Sequence, residues 1–398
     1  MPRFPIQFWG LFGTDLIVRT AYQIGKTPLL PLFAAAIGAS EFLIGLIVAV
    51  STATGMVLKP IFGVLSDRWG RRIWLFAGVA VFIGAPFLYT FVQTPNGLLA
   101  LRLFHGLATA IFGPVTLAYV IEMRSHDLAP RLAWFGIARE GGYLLAPAIA
   151  GWLLMTHSPE TIFTLIGLAS CFALIPLVLV NETESRKVAR ATGPSLWSYF
   201  KQAGSDAVMR AEVWVAGCIE MGLYVATYAL KAFLPLFIIK EAGLGVLTAG
   251  LFFTVQEAAH LLARPAGGWY AQKAGLSTAI SSGLLLLAAG IALVHSCTAP
   301  AALFAIAVLT GIAQGIVLPA TIALVGGAVS PDHLGAGMGV FGTLRNVGKI
   351  AGPAVVGGLL EFISFALVFG GLAAVLTAVA CSLLLRGRFI GRTRAQPG

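Results

Sequence analysis

The run Gly63-Val-Leu-Ser-Asp67-Arg68-Trp-Gly70-Arg71-Arg72 decides how this chain is read. It holds an acid, three arginines and two glycines, and long apolar runs flank it on both sides. Hydrocarbon does not host charge at that density, so the polypeptide leaves a bilayer here. The flanking runs, 41–64 and 73–92, each reach the roughly 20 residues that a helix needs to cross the apolar layer.

The rest of the composition agrees. Of 398 residues, 58% are hydrophobic and 11% charged, against roughly a quarter charged in a soluble domain. The net charge of +10 would suggest nucleic acid on a soluble protein. Here the bases sit between apolar spans, as the positive-inside rule expects, and no soluble domain presents a basic patch. Cys171, Cys218, Cys297 and Cys381 are far apart and show neither metal spacing nor a disulfide framework. No P-loop, nucleophile elbow or metal cluster marks an enzyme, and no cofactor is expected. The N-terminus runs into its first apolar stretch without a cleavage site of small residues, so that helix is expected to be retained.

Apolar windows give twelve spans: 6–33, 41–64, 73–92, 98–123, 132–155, 161–180, 211–239, 246–271, 277–297, 301–329, 334–360 and 365–385. The expected organisation is an N-terminal bundle at 1–182, a basic linker at 183–210, a C-terminal bundle at 211–386 and a basic tail at 387–398. A short surface helix is expected at 195–203. Loops after spans 2, 4, 6, 8 and 12 carry the Lys and Arg residues. The loop after span 7 has only Lys240 beside Glu241, and the other outer loops have none. That alternation places both termini and the opening run in the cytoplasm of a plasma (bacterial inner) membrane.

The halves repeat. Lys59-Pro60 through Gly63, Asp67, Arg68 and Gly70 aligns with Arg264-Pro265 through Gly268, Gln272, Lys273 and Gly275, and Pro114-Val-Thr116 aligns with Pro319-Ala-Thr321, all 205 residues apart. Arg139-Glu140-Gly-Gly142 aligns with Arg345-Asn-Val-Gly348 at 206. One offset held across separate helices is the mark of an internal duplication. Together with Gly-x-x-x-Asp-Arg-x-Gly-Arg-Arg, this resembles the major facilitator superfamily, whose members carry that motif between helices 2 and 3. The resemblance covers essentially the whole chain. It implies an all-α membrane protein of twelve transmembrane helices in two pseudo-symmetric six-helix bundles, working by alternating access around a central cavity. It also gives Gly63, Asp67, Arg68, Gly70 and Arg71 a gating role, with Asp67 engaging the start of the eleventh span. Glu122, at the end of the fourth span, is placed to pair with Arg71 or Arg72. Gly142, Gly151, Gly348, Gly352, Gly357 and Gly358 are expected where helices approach closely.

Embedded charges cost a few kcal/mol each by insertion scales, so each requires an account. Asp15, Arg19, Tyr22 and Lys26 share one face of the first span, being three or four residues apart. Glu220, Tyr224, Thr227 and Lys231 repeat the stripe in the seventh. The first-span acid resembles the embedded carboxylate of drug/proton antiporters. A carboxylate drawn out of water takes up a proton more readily, while the bland alternative is a fixed Asp15–Arg19 ion pair. For Lys26 and Lys231 the alternatives are substrate contact and snorkelling to the outer interface. Arg102-Leu-Phe-His105-Gly106 resembles a second motif, Arg-x-x-Gln-Gly, with His105 in place of Gln, which the resemblance links to the proton step. The alternatives for Arg102 are a role in coupling at the cavity and a structural pin between helices, a buried arginine calling for a carboxylate or several carbonyls. His105 reads as a core histidine although it titrates in a useful range. Arg139 and Glu140 lie in the fifth span, where Ala146-Pro147 departs from the Gly-Pro motif of antiporters. Glu257 is the conspicuous acid of the eighth span, with Arg345 and Lys349 of the eleventh as its expected partners.

The function these residues imply is proton-coupled efflux of small amphiphilic compounds by a monomeric secondary transporter in the lipid bilayer. The mixed charges keep open an importer or exchanger of a small organic anion or metabolite. A non-transporting receptor or assembly factor is the reading from another class, and embedded charges serve no purpose there.

Overall fold

A computed structural model describes residues 4–123, 128–182, 210–329 and 334–390 of the chain. The expected surface helix at 195–203, most of the linker, the charged loop at 124–127 and most of the basic tail lie outside the described residues. The described chain is helical, and it divides into two compact units, Met1–Tyr199 and Phe200–Gly398.

The first unit contains α1 (Ile6–Ile24), α2 (Leu29–Ala36), α3 (Glu41–Trp69), α4 (Arg71–Phe87), α5 (Pro95–Glu122), α6 (Leu128–Leu153), α7 (Pro159–Cys171) and α8 (Leu174–Leu177). The second contains α9 (Ala211–Lys240), α10 (Val246–Ala274), α11 (Leu276–Val294), α12 (Pro300–Ala328), α13 (Leu334–Leu360) and α14 (Phe365–Ile390). Helix starts follow their local chemistry. Ser40 caps α3 by accepting from the Leu43 amide at 3.4 Å. Thr94 and Ser158 cap α5 and α7, each followed by a proline at the first helical position, where its missing N–H costs nothing.

Nine of these helices are long and apolar enough to cross a membrane among the described residues. The three remaining sequence-read spans are the α1–α2 pair, α6 and α13. They carry the embedded charges Asp15, Arg19, Arg139, Glu140, Arg345 and Lys349. The single first span expected at 6–33 is two helices, because Gly25 ends α1 and Pro28 has no amide with which to continue it. The sixth span is likewise interrupted, between Cys171 and Leu174.

The opening run is not a loop. Gly63 to Trp69 form the last turns of α3, and Arg71 starts α4. Gly70 alone joins them, at φ 113°, a backbone state open to glycine and strained for other residues. Gly275 makes the matching joint between α10 and α11 at φ 89°.

Helix pairing repeats from unit to unit. The main contacts of the first are α3 with α5, α4 with α5, α1 with α6 and α4 with α7. Those of the second are α10 with α12, α11 with α12, α9 with α13 and α11 with α14, which is the same scheme shifted by one half of the chain. Small residues permit it. A Cβ on Gly142 of α6 would lie 3.0 Å from the Thr20 amide nitrogen of α1. Cβ atoms on Gly348 and Gly352 of α13 would lie 2.9 Å from the Cα atoms of Met221 and Val225 on α9. Large apolar side chains such as Val57, Leu262 and Leu367 are exposed, as befits helices whose outer faces meet lipid rather than water.

Candidate functional site

In the first unit, Asp15 is fully buried on α1. Arg19, one turn on, donates from Nε to both of its carboxylate oxygens at 2.8 and 2.7 Å. The spacing that put the two residues on one face therefore yields an ion pair within the helix. Tyr22 continues the stripe, buried, with the Lys26 ammonium 5.4 Å and the Arg102 guanidinium 5.6 Å from its ring centroid.

Arg102 of α5 is completely buried, yet its hydrogen-bond partners are hydroxyls rather than the expected carboxylate or carbonyls. It donates to Ser51 Oγ of α3 at 2.7 Å and to the Tyr89 hydroxyl at 3.3 Å. His105 Nδ1 is 3.0 Å from the same Tyr89 hydroxyl, and its ring stands edge-on to Tyr22 at 5.0 Å. The histidine is thus a packed core residue. Arg139 of α6 reaches back to α5, with Nη2 3.4 Å from the Gly113 carbonyl, and stacks on Phe135 of its own helix.

In the second unit, Glu220 is fully buried on α9. One of its oxygens accepts from the Thr321 hydroxyl of α12 at 2.8 Å, and the other, Oε2, has no hydrogen-bond partner among the described residues. One turn on, Tyr224 presents its ring to two cations of α13. Arg345 lies 5.7 Å and Lys349 4.8 Å from the centroid, close enough for cation–π attraction. Lys349 and Lys231 both approach Tyr228 at 5.4 Å.

Glu257 does not pair with Arg345 or Lys349 as expected. Lys231 of α9 lies 3.5 Å from its Oε1, and His260 Nδ1 lies 3.0 Å from its Oε2. Arg264 donates to the other ring nitrogen of His260 at 3.2 Å. Glu257, His260 and Arg264 share one face of α10, and that face together with Lys231 of α9, rather than α13, supplies the acid with neighbours. Lys231 is accordingly an ion-pair partner and does not snorkel.

The opening motif forms a separate cluster. Arg71 pairs with Asp67, one turn before it, and with Glu122 of α5, whose Oε1 is 2.5 Å from Nη2. It also donates to Ser66 Oγ at 2.5 Å, and the Arg71 amide donates to Glu182 at 2.9 Å. Glu122 was read from sequence as a partner of Arg71 or Arg72, and Arg71 is the one that takes it. Asp67 is mostly exposed and Arg71 almost wholly covered. Arg68 is exposed.

Sequence reasoning missed Ser51, Tyr89, Thr321 and Lys59. Of these, Thr321 and Lys59 left a trace, as the repeat copies of Thr116 and Arg264. The hydroxyls were invisible because the charged groups they serve, Arg102 for Ser51 and Tyr89 and Glu220 for Thr321, lie on other helices. Among the described residues no cluster of His, Cys, Asp and Glu could hold a metal ion.

The profile of the Major Facilitator Superfamily matches residues 21–276 and 217–397. The bacillibactin exporter of Bacillus subtilis is 24% identical over 356 residues, covering 87% of this chain and 88% of that one. Multidrug resistance protein 1 of the same organism is 27% identical over 142 residues, 35% of this chain and 36% of its own. Among solved structures, the nucleoside transporter NupG superposes with a TM-score of 0.81 at 13% identity, covering 98% of this chain and 100% of that one, which speaks to the fold.

Proposed function

The chain belongs to the Major Facilitator Superfamily and is a multi-pass integral membrane transporter, and from that premise we propose that it exports small amphiphilic compounds by proton-coupled alternating access. In this reading it acts as a monomer in a bacterial inner membrane, with both termini in the cytoplasm. The name of the bacillibactin exporter supports the outward direction, and that of Multidrug resistance protein 1 supports drug-like compounds as substrates.

The observation that carries proton coupling is Glu220. Its carboxyl is buried, has a hydroxyl rather than a cation as its hydrogen-bond partner, and leaves one oxygen open. An ionised carboxylate is costly in such a place, and a proton on the open oxygen relieves the cost. Asp15 occupies the corresponding stripe of the first unit, but Arg19 already answers its charge. Glu220 is therefore the better proton carrier, and Asp15–Arg19 a neutralised pair within α1.

The test is proton flux in proteoliposomes with a panel of cationic, neutral and anionic amphiphiles, comparing wild type, Glu220→Gln and Asp15→Asn. Compound-dependent proton movement is expected in the wild type, to vanish in Glu220→Gln and to persist at a reduced rate in Asp15→Asn. Absence of a pH-linked signal for every compound in the wild type sinks proton antiport.

A second reading, an importer or exchanger of a small organic anion, draws on Arg345 and Lys349 around the Tyr224 ring. It predicts uptake that ignores the pH gradient and is lost in Arg345→Gln.

A further inference from the structure

Lys59 stands in α3, closer to its Trp69 end than to its Glu41 end. A lysine placed so near a helix end usually runs its stem out to the near interface. This one runs the other way. A Cβ built on Gly55, one turn back toward the middle of the helix, would lie 3.4 Å from Lys59 Cε and 3.7 Å from Nζ. A Cβ on Gly113 of α5 would lie 3.9 Å from the same Cε. The side chain therefore lies along α3 toward the middle of the helix, over Gly55 and beside Gly113 of α5, so the ammonium sits within the helix layer.

Arg139 arrives at the same place from α6. Its Nη2 is 3.4 Å from the Gly113 carbonyl, and its buried Nε has no hydrogen-bond partner. Arg19 and Lys26 add their fields to that of Lys59. The acids that face this group are Asp15, held by Arg19, and Glu140. Among the described residues no acid or carbonyl bonds the Lys59 ammonium. Tyr22 and Thr109 are its uncharged polar neighbours.

The duplication shows what an answered base looks like at this position. The copy of Lys59 is Arg264, which is bonded through His260 to Glu257. At the same offset of 205 the first half has Thr52 in place of Glu257 and Gly55 in place of His260. The second unit builds in its own acid, while the first has the base and a cleared space. Lys59 is half-buried; a charge held within the helix layer without a partner is costly, and a ligand that brings the opposite charge removes the cost.

We propose that Lys59 and Arg139, with Arg19 behind them, form a seat for the anionic group of an amphiphilic substrate: a sulfonate, carboxylate or phosphate on an aromatic or aliphatic body. The proposal rests on the transporter reading above and narrows its substrate class.

A matched pair of probes tests it. 1-Anilinonaphthalene-8-sulfonate and N-phenyl-1-naphthylamine share one ring system and differ by the sulfonate. Equilibrium dialysis of the full chain in a neutral detergent, corrected with protein-free micelles, compares wild type, Lys59→Gln and Lys59→Arg. Lys59→Gln is expected to weaken the sulfonate about tenfold, or about 1.4 kcal/mol, and to leave the neutral amine unchanged. Lys59→Arg is expected to hold the sulfonate within about threefold of wild type, because the charge-assisted hydrogen bond survives.

Equal weakening of both probes by Lys59→Gln means a packing role and overturns the seat, as does a sulfonate affinity that ignores Lys59. Displacement of the sulfonate by phosphatidylglycerol and not by phosphatidylcholine assigns the seat to a lipid headgroup and overturns its assignment to substrate. Failure of proton-driven transport with Lys59-dependent sulfonate binding intact refutes the transport reading instead, so the two failures are distinct.

Discussion

Replacing Gly352 by alanine tests the packing on which each unit depends. Gly348 and Gly352 lie one turn apart on α13 and face the backbone of α9. A Cβ on Gly352 would sit 2.9 Å from Val225 Cα and 3.0 Å from its carbonyl carbon. Both obstructions are main chain, so no rotamer change relieves them and the helices must part. A gap of roughly 0.5–1 Å forfeits a quarter to a half of each dispersion contact along the seam. Overpacking of this kind costs about 3 kcal/mol at the upper end of its usual range. Alanine's helix propensity returns about 1 kcal/mol, which leaves a net loss of about 2 kcal/mol. Gly342 on the same helix is the internal control, since nothing lies within 4 Å of a Cβ built there. Its alanine variant should gain about 0.5–1 kcal/mol. The two alanines on one helix therefore carry opposite signs. At about 2–4 °C per kcal/mol for a unit of this size, thermal unfolding in detergent should drop by about 4–8 °C for Gly352→Ala and rise slightly for Gly342→Ala. A Gly352→Ala protein that melts at or above wild type would falsify the close-approach argument.

Two further outcomes follow from the polar clusters. Asp67→Asn should leave folding and ligand binding intact and lower turnover, because Arg71 keeps Glu122 and Ser66 as partners; transport at the wild-type rate would return the motif to a purely topogenic role. Thr321→Val should destabilise the second unit by about 1–3 kcal/mol, the cost of stripping a buried carboxyl of its donor, with Thr321→Ser restoring most of it. A Thr321→Val protein that melts like wild type would show that Glu220 is satisfied elsewhere.

Much of the architecture was legible because bilayer physics is one-dimensional. Apolar run length located the spans, and one offset located the duplication. Charges three or four residues apart found Asp15 with Arg19. What escaped was whatever depends on the rotation of one helix against another. Glu257 was assigned to α13, yet Lys231 and His260 take it, because the face of α10 that carries the acid also carries the histidine. Lys59 escaped for the same reason: Gly113 and Arg139, which give it meaning, come from helices far along the chain. The breaks near Pro28 and between Cys171 and Leu174 did leave signals, in Gly25, Pro28 and Pro176, which a hydropathy window averages away.

The single-residue joints at Gly70 and Gly275 carry a mechanical consequence. A connection one residue long has no slack, so α3 cannot slide or tilt without dragging α4, and α10 cannot move without α11. Each pair is one stiff lever with its bend at a glycine. Arg71, fastened at once to Asp67 on one arm and Glu122 on the neighbouring helix, sits at the elbow of the first lever like a pin. The second lever has Gln272 and Leu276 at the matching positions, and so has no such pin. The two halves of this duplicated protein are therefore braced differently: an ion pair fastens one elbow to its neighbouring helix, and the other lacks the residues for it.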